Sequence, residues 1–266
     1  MNIERLCTAI KHIARVPEAI ACLGAMEHAP KVVASYIGLA PLPLPYTARF
    51  RDGMRYRLDE SYDLETLWQI NFHALYPLRA SDRVIVDAGA NIGLFTCWAA
   101  ARVPDATIVA VEPSPANFQR LVDHVRANGF AQRVIPLQIA LDATATVAWL
   151  SGHAAASQMM HLTSGHAPGA LPVETWTLSD LIARIPEQHI DLLKMDIEGS
   201  EYPVLMSAGA DQLARVGRIS LEYHEPPPQS GYTKRDLLRH LAACGFASID
   251  DRGGKAAYGM IHASRC

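Results

Sequence analysis

No apolar run in this chain reaches the roughly 18 residues that a membrane-crossing helix needs, which argues against a span. Cysteine is sparse and unpatterned. Cys7, Cys22, Cys97, Cys244 and Cys266 are odd in number and contain no C-x-x-C pair. They therefore do not read as a disulfide framework or a zinc site, and reduced thiols in a cytoplasmic protein are the simpler account. Charge of one sign is also lacking. The formal net charge of -3 provides no basic field for nucleic acid or an anionic membrane. The start, Met1-Asn2-Ile3-Glu4-Arg5-Leu6, lacks the basic region and clean apolar core of a signal peptide. No internal repeat is visible. What is present is 266 residues, half of them hydrophobic. That length supports one large α/β domain with an appendage, or at most two domains.

A further absence is more informative. The three glycines of a dinucleotide fingerprint, G-x-G-x-x-G, do not occur at the strongest nucleotide-like turn. That turn lies in Arg83-Val84-Ile85-Val86-Asp87-Ala88-Gly89-Ala90-Asn91-Ile92-Gly93-Leu94-Phe95-Thr96, where an apolar run ends in an acid, passes two glycines and continues as an apolar helix. Gly89 and Gly93 permit close approach of backbone to a nucleoside. Glu112 follows 19 residues after Gly93, at the end of the apolar run Thr107-Ile108-Val109-Ala110-Val111. An acid at that spacing, closing the second strand of a βαβ unit, is placed to bond ribose hydroxyls. Asp87 would repel a phosphate. A cationic, amino-acid-bearing nucleoside suits the turn better, and S-adenosylmethionine (SAM) is such a molecule. A glycine turn without a ligand is the bland reading of the same residues.

The rest of the chain is organised around that unit. Residues 3–39 read as two or three short helices punctuated by Pro17 and Pro30, most simply a packing cap, with a lid or a dimer contact as the functional alternative. Pro41-Leu42-Pro43-Leu44-Pro45 makes a stiff connector. Residues 49–58 form a hairpin on Asp52-Gly53, and residues 63–76 a helix. From Ser81 strand and helix alternate, which implies a mostly parallel sheet covered on both faces. Strands fall at 84–86, 108–111, 134–139, 173–176, 190–195 and 218–223, with helices at 116–127, 178–184 and 233–243. The stretch 151–172 is read as one long irregular loop, functional or disordered. A hairpin of 246–250 and 257–263 closes the chain.

In open α/β sheets ligands bind beyond the carboxyl ends of the strands. Asp87, Glu112, Asp196 and His224 stand at four such ends. Alternation along a strand puts Lys194 and Asp196 on one face, and Glu222 and His224 on one face. Asp196, Glu222 and His224 together would suit Mg²⁺ or Mn²⁺, although their spacing forms no tight ligand motif. His153, His161 and His166 in the long loop match no metal motif.

Val86-Asp87-Ala88-Gly89-Ala90-Asn91-Ile92-Gly93, Val111-Glu112-Pro113-Ser114, Leu193-Lys194-Met195-Asp196-Ile197-Glu198-Gly199-Ser200-Glu201 and Leu221-Glu222-Tyr223-His224 together resemble the FkbM family of SAM-dependent methyltransferases. Phe50-Arg51-Asp52-Gly53 and Thr177-Leu178-Ser179-Asp180 share the resemblance, which runs from about Thr47 to Asp250. K-x-D-x-E-G-x-E is its most distinctive part. The resemblance implies an α/β fold: a Rossmann-like seven-stranded methyltransferase sheet with helices on both faces and an antiparallel C-terminal hairpin, to which the residues before about Arg49, outside the resemblance, add a helical N-terminal extension. It divides the chain into a cap and hairpin, 1–60, and a methyltransferase domain, 61–266. It implies O-methylation of a hydroxyl on a small molecule, natural product or sugar.

By the same resemblance Asp87, Gly89, Asn91 and Gly93 would hold the methionine part of SAM, and Glu112 its ribose. Pro113 and Ser114 would border adenine, Asn117 would touch ribose or adenine, and Asp142 would contact adenine. Asp196 is the candidate base on position, and His224 on intrinsic acidity. The expected partner is a hydroxyl-bearing small molecule or glycan, with no nucleic acid or membrane, and with a homodimer open. Two other readings stay open at this point: a non-catalytic SAM-binding or scaffold protein, and a nicotinamide-dependent oxidoreductase, which the missing third glycine disfavours.

Overall fold

The computed structural model describes residues 15–73, 75–151, 161–163, 168–225, 231–251 and 258–265. The chain divides into two compact units, Met1–Leu75 and Tyr76–Cys266.

In the first unit, helices α1 (Val16–Ala25) and α2 (Ala29–Tyr36) precede strands β1 (Tyr46–Arg49) and β2 (Arg55–Leu58) and helix α3 (Ser61–Phe72). Pro17 and Pro30 stand in the first turns of α1 and α2, where a missing N–H costs nothing. The part of the expected cap at residues 3–14 lies outside the described residues. β1 and β2 pair antiparallel from Tyr46 against Leu58 to Arg49 against Arg55, so the hairpin over Asp52-Gly53 is present. Helix α3 opens with a reciprocal cap between Glu60 and Asp63 and ends at Phe72, four residues before the expected Tyr76. Tyr76 precedes Pro77, a position that disfavours helix. Trp68 is fully buried here and stacks on Tyr36 with ring centroids 3.8 Å apart.

The second unit carries β3 (Val84–Ala88), α4 (Leu94–Arg102), β4 (Thr107–Val111), α5 (Pro115–Ala127) and β5 (Val134–Leu137). Next come β6 (Ala140–Leu141), β7 (Thr146–Ser151), β8 (His161–Thr163), β9 (Leu171–Trp176) and α6 (Leu178–Arg184). It finishes with β10 (Ile190–Met195), α7 (Glu201–Ser207), α8 (Ala210–Leu213), β11 (Val216–His224), α9 (Lys234–Ala243), β12 (Ser248–Asp251) and β13 (Tyr258–Ser264). Seven strands form one sheet in the order β12-β13-β11-β10-β3-β4-β5. Five neighbouring strands, β11-β10-β3-β4-β5, run parallel; β13 pairs antiparallel with β11 and β12 with β13. This is the Rossmann-like arrangement with an antiparallel terminal hairpin. All five residues of β3 are buried, as a parallel strand covered on both faces requires. Val86, Leu193, Met195, Ile219, Tyr223 and Phe246 belong to its main core.

Two expectations are corrected. The strand expected at 134–139 is present but ends at Leu137, and the following Ala140–Leu141 pairs with β9 in another sheet. Nor is 151–172 one irregular loop. The described part contains β8 and the start of β9, and with β6 and β7 they form a second, four-stranded sheet. Ala140, Ala148, Leu150 and Val173 are its core. Burial alternates along Val147-Ala148-Trp149-Leu150, with Val147 exposed and Ala148 and Leu150 buried, although all four residues are apolar and the sequence itself does not alternate. His153 and His166 lie outside the described residues, and His161 opens β8.

The foot of β11 is anchored by charge. Arg218 Nη2 lies 2.5 and 2.6 Å from the two carboxylate oxygens of Asp82, and its Nη1 donates to the Pro77 carbonyl at 2.9 Å. Both side chains are buried. Cys22, Cys97 and Cys244 are buried free thiols. Among the described residues no helix is long and apolar enough to cross a membrane.

Candidate active site

The site is assembled at the carboxyl ends of β3, β4, β10 and β11. After β3 the chain turns through Gly89, Asn91 and Gly93, with φ of 75°, 49° and 83°. All three lie in the left-handed region that favours glycine and tolerates asparagine. The missing Cβ atoms answer to the protein itself. A Cβ on Gly89 would stand 1.7 Å from the Asp196 carbonyl oxygen, and one on Gly93 would stand 2.5 Å from Leu121 Cδ1. The first glycine is thus a seat for the end of β10, and the second a seat for α5. The Asp196 N–H donates to the Ala88 carbonyl at 3.0 Å, which fixes the same approach from the other side.

Parallel register sets Lys194 directly beside Asp87. Asp87 is fully buried. Its Oδ2 accepts from Thr96 Oγ1 at 2.5 Å, and its Oδ1 pairs with Lys194 Nζ at 3.0 Å. Lys194, also buried, donates to the Gly89 carbonyl at 2.8 Å. Burial opposes its charge, but Asp87 and Asp196 outweigh it, so the ammonium is held above its ordinary range. The charge on Asp87 is therefore matched inside the protein.

Glu112 ends β4 and reaches back to the turn. Its Oε2 accepts the Asn91 N–H at 2.8 Å and its Oε1 accepts the Ser114 N–H at 2.9 Å. Burial pushes its carboxyl up to about 7, against the pull of those two N–H groups and of Lys194. Ser114 is the residue before α5, and Asn117, buried in its first turn, bonds Glu112. Asp142 stands apart from this group in the chain, following β6. Its N–H donates to the Trp176 carbonyl, and its Oδ1 accepts from Ala143.

The acidic group over β10 and β11 is denser than the sequence suggested. Glu201, fully buried at the start of α7, accepts from the Ile197 and Gly199 N–H groups at 3.1 and 2.9 Å. Its Oε1 lies 3.2 Å from His224 Nδ1, while Glu198 Oε2 lies 3.5 Å from His224 Nε2. Burial works against a charged imidazole, yet the bond to Glu201 and the nearby carboxylates raise His224 to about 9. That direction favours the charged imidazole and works against His224 as a base at its ordinary acidity. Burial raises Asp196 above the usual carboxylate range, against the pull of Lys194 and His224. Burial raises Glu198 to about 7, and burial with Asp196 raises Glu222 to about 7. Tyr76, buried under Lys194 and edge-on to Phe95, is raised well above its ordinary value by burial and by Asp196 and Glu222.

Among the described residues the donor atoms that gather within 4.8 Å are those of Asp196, Glu198 and His224, so Glu198 replaces Glu222 in the expected metal set. The bridge of His224 between Glu198 and Glu201 accounts for this cluster without a cation. Glu201 and Tyr76 were missed by sequence reasoning. Glu201 had a signal, an acid in the first turn of a helix five residues after Asp196; Tyr76 had none.

A parallel sheet with a glycine turn after its first central strand and an acid after the next defines a Rossmann-like nucleoside-binding domain. Residues 87–248 match the family described as the Methyltransferase FkbM domain. The chain belongs to the FkbM family of SAM-dependent methyltransferases. It is 31% identical over 217 residues to the 31-O-demethyl-FK506 methyltransferase FkbM of Streptomyces tacrolimicus, covering 70% of this chain and 80% of that one. It is 30% identical over 176 residues to methyltransferase sdnD of Sordaria araneosa (55% and 68% covered) and 32% identical over 160 residues to methyltransferase 1 of Beauveria bassiana (53% and 64%). The chain thus spans just under two thirds of the Beauveria protein. The crystal structure of methyltransferase FkbM from Methylobacillus flagellatus superposes with a TM-score of 0.50 at 13% identity, covering 96% of this chain and 60% of that one, a likeness of fold.

The residues present fit the family's cofactor. Asn91 Oδ1 is buried at the turn without a hydrogen-bond partner, an acceptor suited to the cofactor's ammonium or hydroxyl donors. Beside it Glu112 keeps acceptor capacity beyond its two N–H bonds.

Proposed function

We propose that this chain transfers a methyl group from SAM to a hydroxyl oxygen of a small molecule, a natural product or a sugar. One observation carries the reading. Asp196 is seated against the glycine turn, and its half-buried carboxyl is held above the ordinary range, which makes the carboxylate a stronger base. The substrate named in the Streptomyces relative, 31-O-demethyl-FK506, supports oxygen as the acceptor and a natural product as the substrate.

SAM supplies a methyl on a cationic sulfur that is already a good leaving group. The protein's work is positioning and proton removal. Glu112 would accept from the ribose hydroxyls and Asn91 Oδ1 from the methionine portion, with Pro113 and Ser114 bordering adenine, Asn117 at the ribose or adenine and Asp142 at the adenine. Asp87 supports the turn from beneath. Asp196 would take the hydroxyl proton as the substrate oxygen bonds to the methyl and the carbon–sulfur bond breaks, S-adenosylhomocysteine being the leaving group. His224, held charged by Glu198 and Glu201, offsets the negative charge gathered around Asp196.

Asp196→Asn tests this. With radiolabelled SAM and a panel of polyketide and sugar acceptors, turnover falls by about 10² to 10⁴-fold while S-adenosylhomocysteine affinity stays within about fivefold. Wild-type turnover in that variant removes Asp196 from the chemistry.

A further inference from the structure

Lys194 is a buried charged group that takes no part in the chemistry proposed for methyl transfer. We propose that Lys194 is a positioning residue for cofactor capture, its ammonium pinning the Gly89 carbonyl and thereby holding the glycine turn open to the ligand. The inference rests on that turn being the SAM site.

Three contacts meet at its Nζ: Asp87 Oδ1 at 3.0 Å, the Gly89 carbonyl at 2.8 Å and the Ala88 carbonyl at 3.4 Å. The aliphatic stem is enclosed, with the ammonium over the rings of Tyr76 and Phe95 at 5.7 and 5.9 Å. A buried lysine needs a counter-ion, and Asp87 alone would meet that need. The shorter contact to Gly89 is not explained by charge balance. Gly89 has φ of 75°, one of several conformations open to glycine, so its neighbours decide which one the first peptide of the turn holds. The other edge of that peptide is the Ala90 N–H, which donates to the Val111 carbonyl at 2.9 Å; removing Lys194 leaves that bond as its remaining anchor, about which the carbonyl can tilt. That tilt would carry Ala90 and Asn91 with it, and with them the Asn91 N–H that Glu112 accepts and the unpartnered Asn91 Oδ1. Lys194 contacts neither Asn91 nor Glu112 in the hydrogen bonds of its ammonium, yet through Gly89 it sets where they stand.

A purely structural lysine and a positioning lysine differ in what happens once Asp87 is neutral. The experiment therefore uses Asp87→Asn as the reference background, so that no buried charge is left alone when Lys194 is also removed. S-adenosylhomocysteine is titrated calorimetrically into wild type, Asp87→Asn, Lys194→Met and the double variant, with thermal melts of each. Relative to Asp87→Asn, the double variant retains its melting temperature and loses at least tenfold in S-adenosylhomocysteine affinity. Lys194→Met alone loses both affinity and stability. Equal affinity in Asp87→Asn and the double variant overturns the proposal and leaves Lys194 as a counter-ion. A wild type that binds no S-adenosylhomocysteine overturns the cofactor reading itself, an outcome distinct from the other.

Discussion

His224 loses its proton near pH 9, and the stability tied to that proton disappears over a calculable interval. The imidazole is placed between Glu201 at 3.2 Å and Glu198 at 3.5 Å, and its acidity moves from 6.5 to about 9. That change corresponds to about 3 kcal/mol of preference for the charged ring. The side chain is 27% exposed, and Glu198 36%, so solvent screening reduces the expected contribution to about 1–2 kcal/mol. The sign follows from linkage. The folded value lies above the unfolded one, so the contribution is complete below pH 6.5 and is lost as pH rises through about 9. Urea unfolding of wild type and His224→Gln at a series of pH values isolates it. Packing lost with the ring is common to every pH, whereas the ionic part closes between about pH 6.5 and 10. A gap that stays constant, or widens with pH, refutes the charged-imidazole account. Direct nitrogen-shift titration of the ring is an independent check: a midpoint at or below 6.5 is incompatible with a charged ring at neutral pH.

Other perturbations have equally specific outcomes. Gly89→Ala drives a methyl into the Asp196 carbonyl at a backbone angle of +75°, so we expect loss of folded yield or several kcal/mol of stability, read by thermal melting. Asp82→Ala leaves the buried Arg218 guanidinium uncompensated; about 3–5 kcal/mol is lost, or roughly 6–20 °C in melting temperature, while Asp82→Asn/Arg218→Met recovers most of it. Glu112→Gln replaces one carboxyl oxygen by an amide N–H that cannot accept from a ribose hydroxyl and weakens S-adenosylhomocysteine binding by about tenfold or more in calorimetry.

Much of this architecture is visible in the chain before any coordinates. Ile190–Met195 and Leu178–Arg184 match their expected limits because the strand is mostly apolar, with Ile190, Leu192, Leu193 and Met195, and Thr177 with Asp180 forms a reciprocal helix cap. The turn after β3 is equally plain, since two glycines and an asparagine mark left-handed backbone. What the chain conceals is partnership across distance. That Asp87 answers Lys194, 107 positions away, depends on strand register. That His224 carries a proton depends on Glu201, whose side chain turns toward it only because α7 begins where it does. The second sheet was hidden for a different reason: its strands are short and its core is four side chains, too little alternation to stand out from loop.

The carbonyl of Asp196 occupying the space a side chain would take at Gly89 has a bearing on how such domains can be recombined. Two segments more than a hundred positions apart share one mould. A chimera that imports either segment alone from a distant relative inherits a mismatch of backbone against backbone, which no rotamer change relieves. Crossovers that carry 87–93 together with 194–201 should preserve the joint, and a library built on that rule should yield far more folded proteins than one cut at the domain's midpoint.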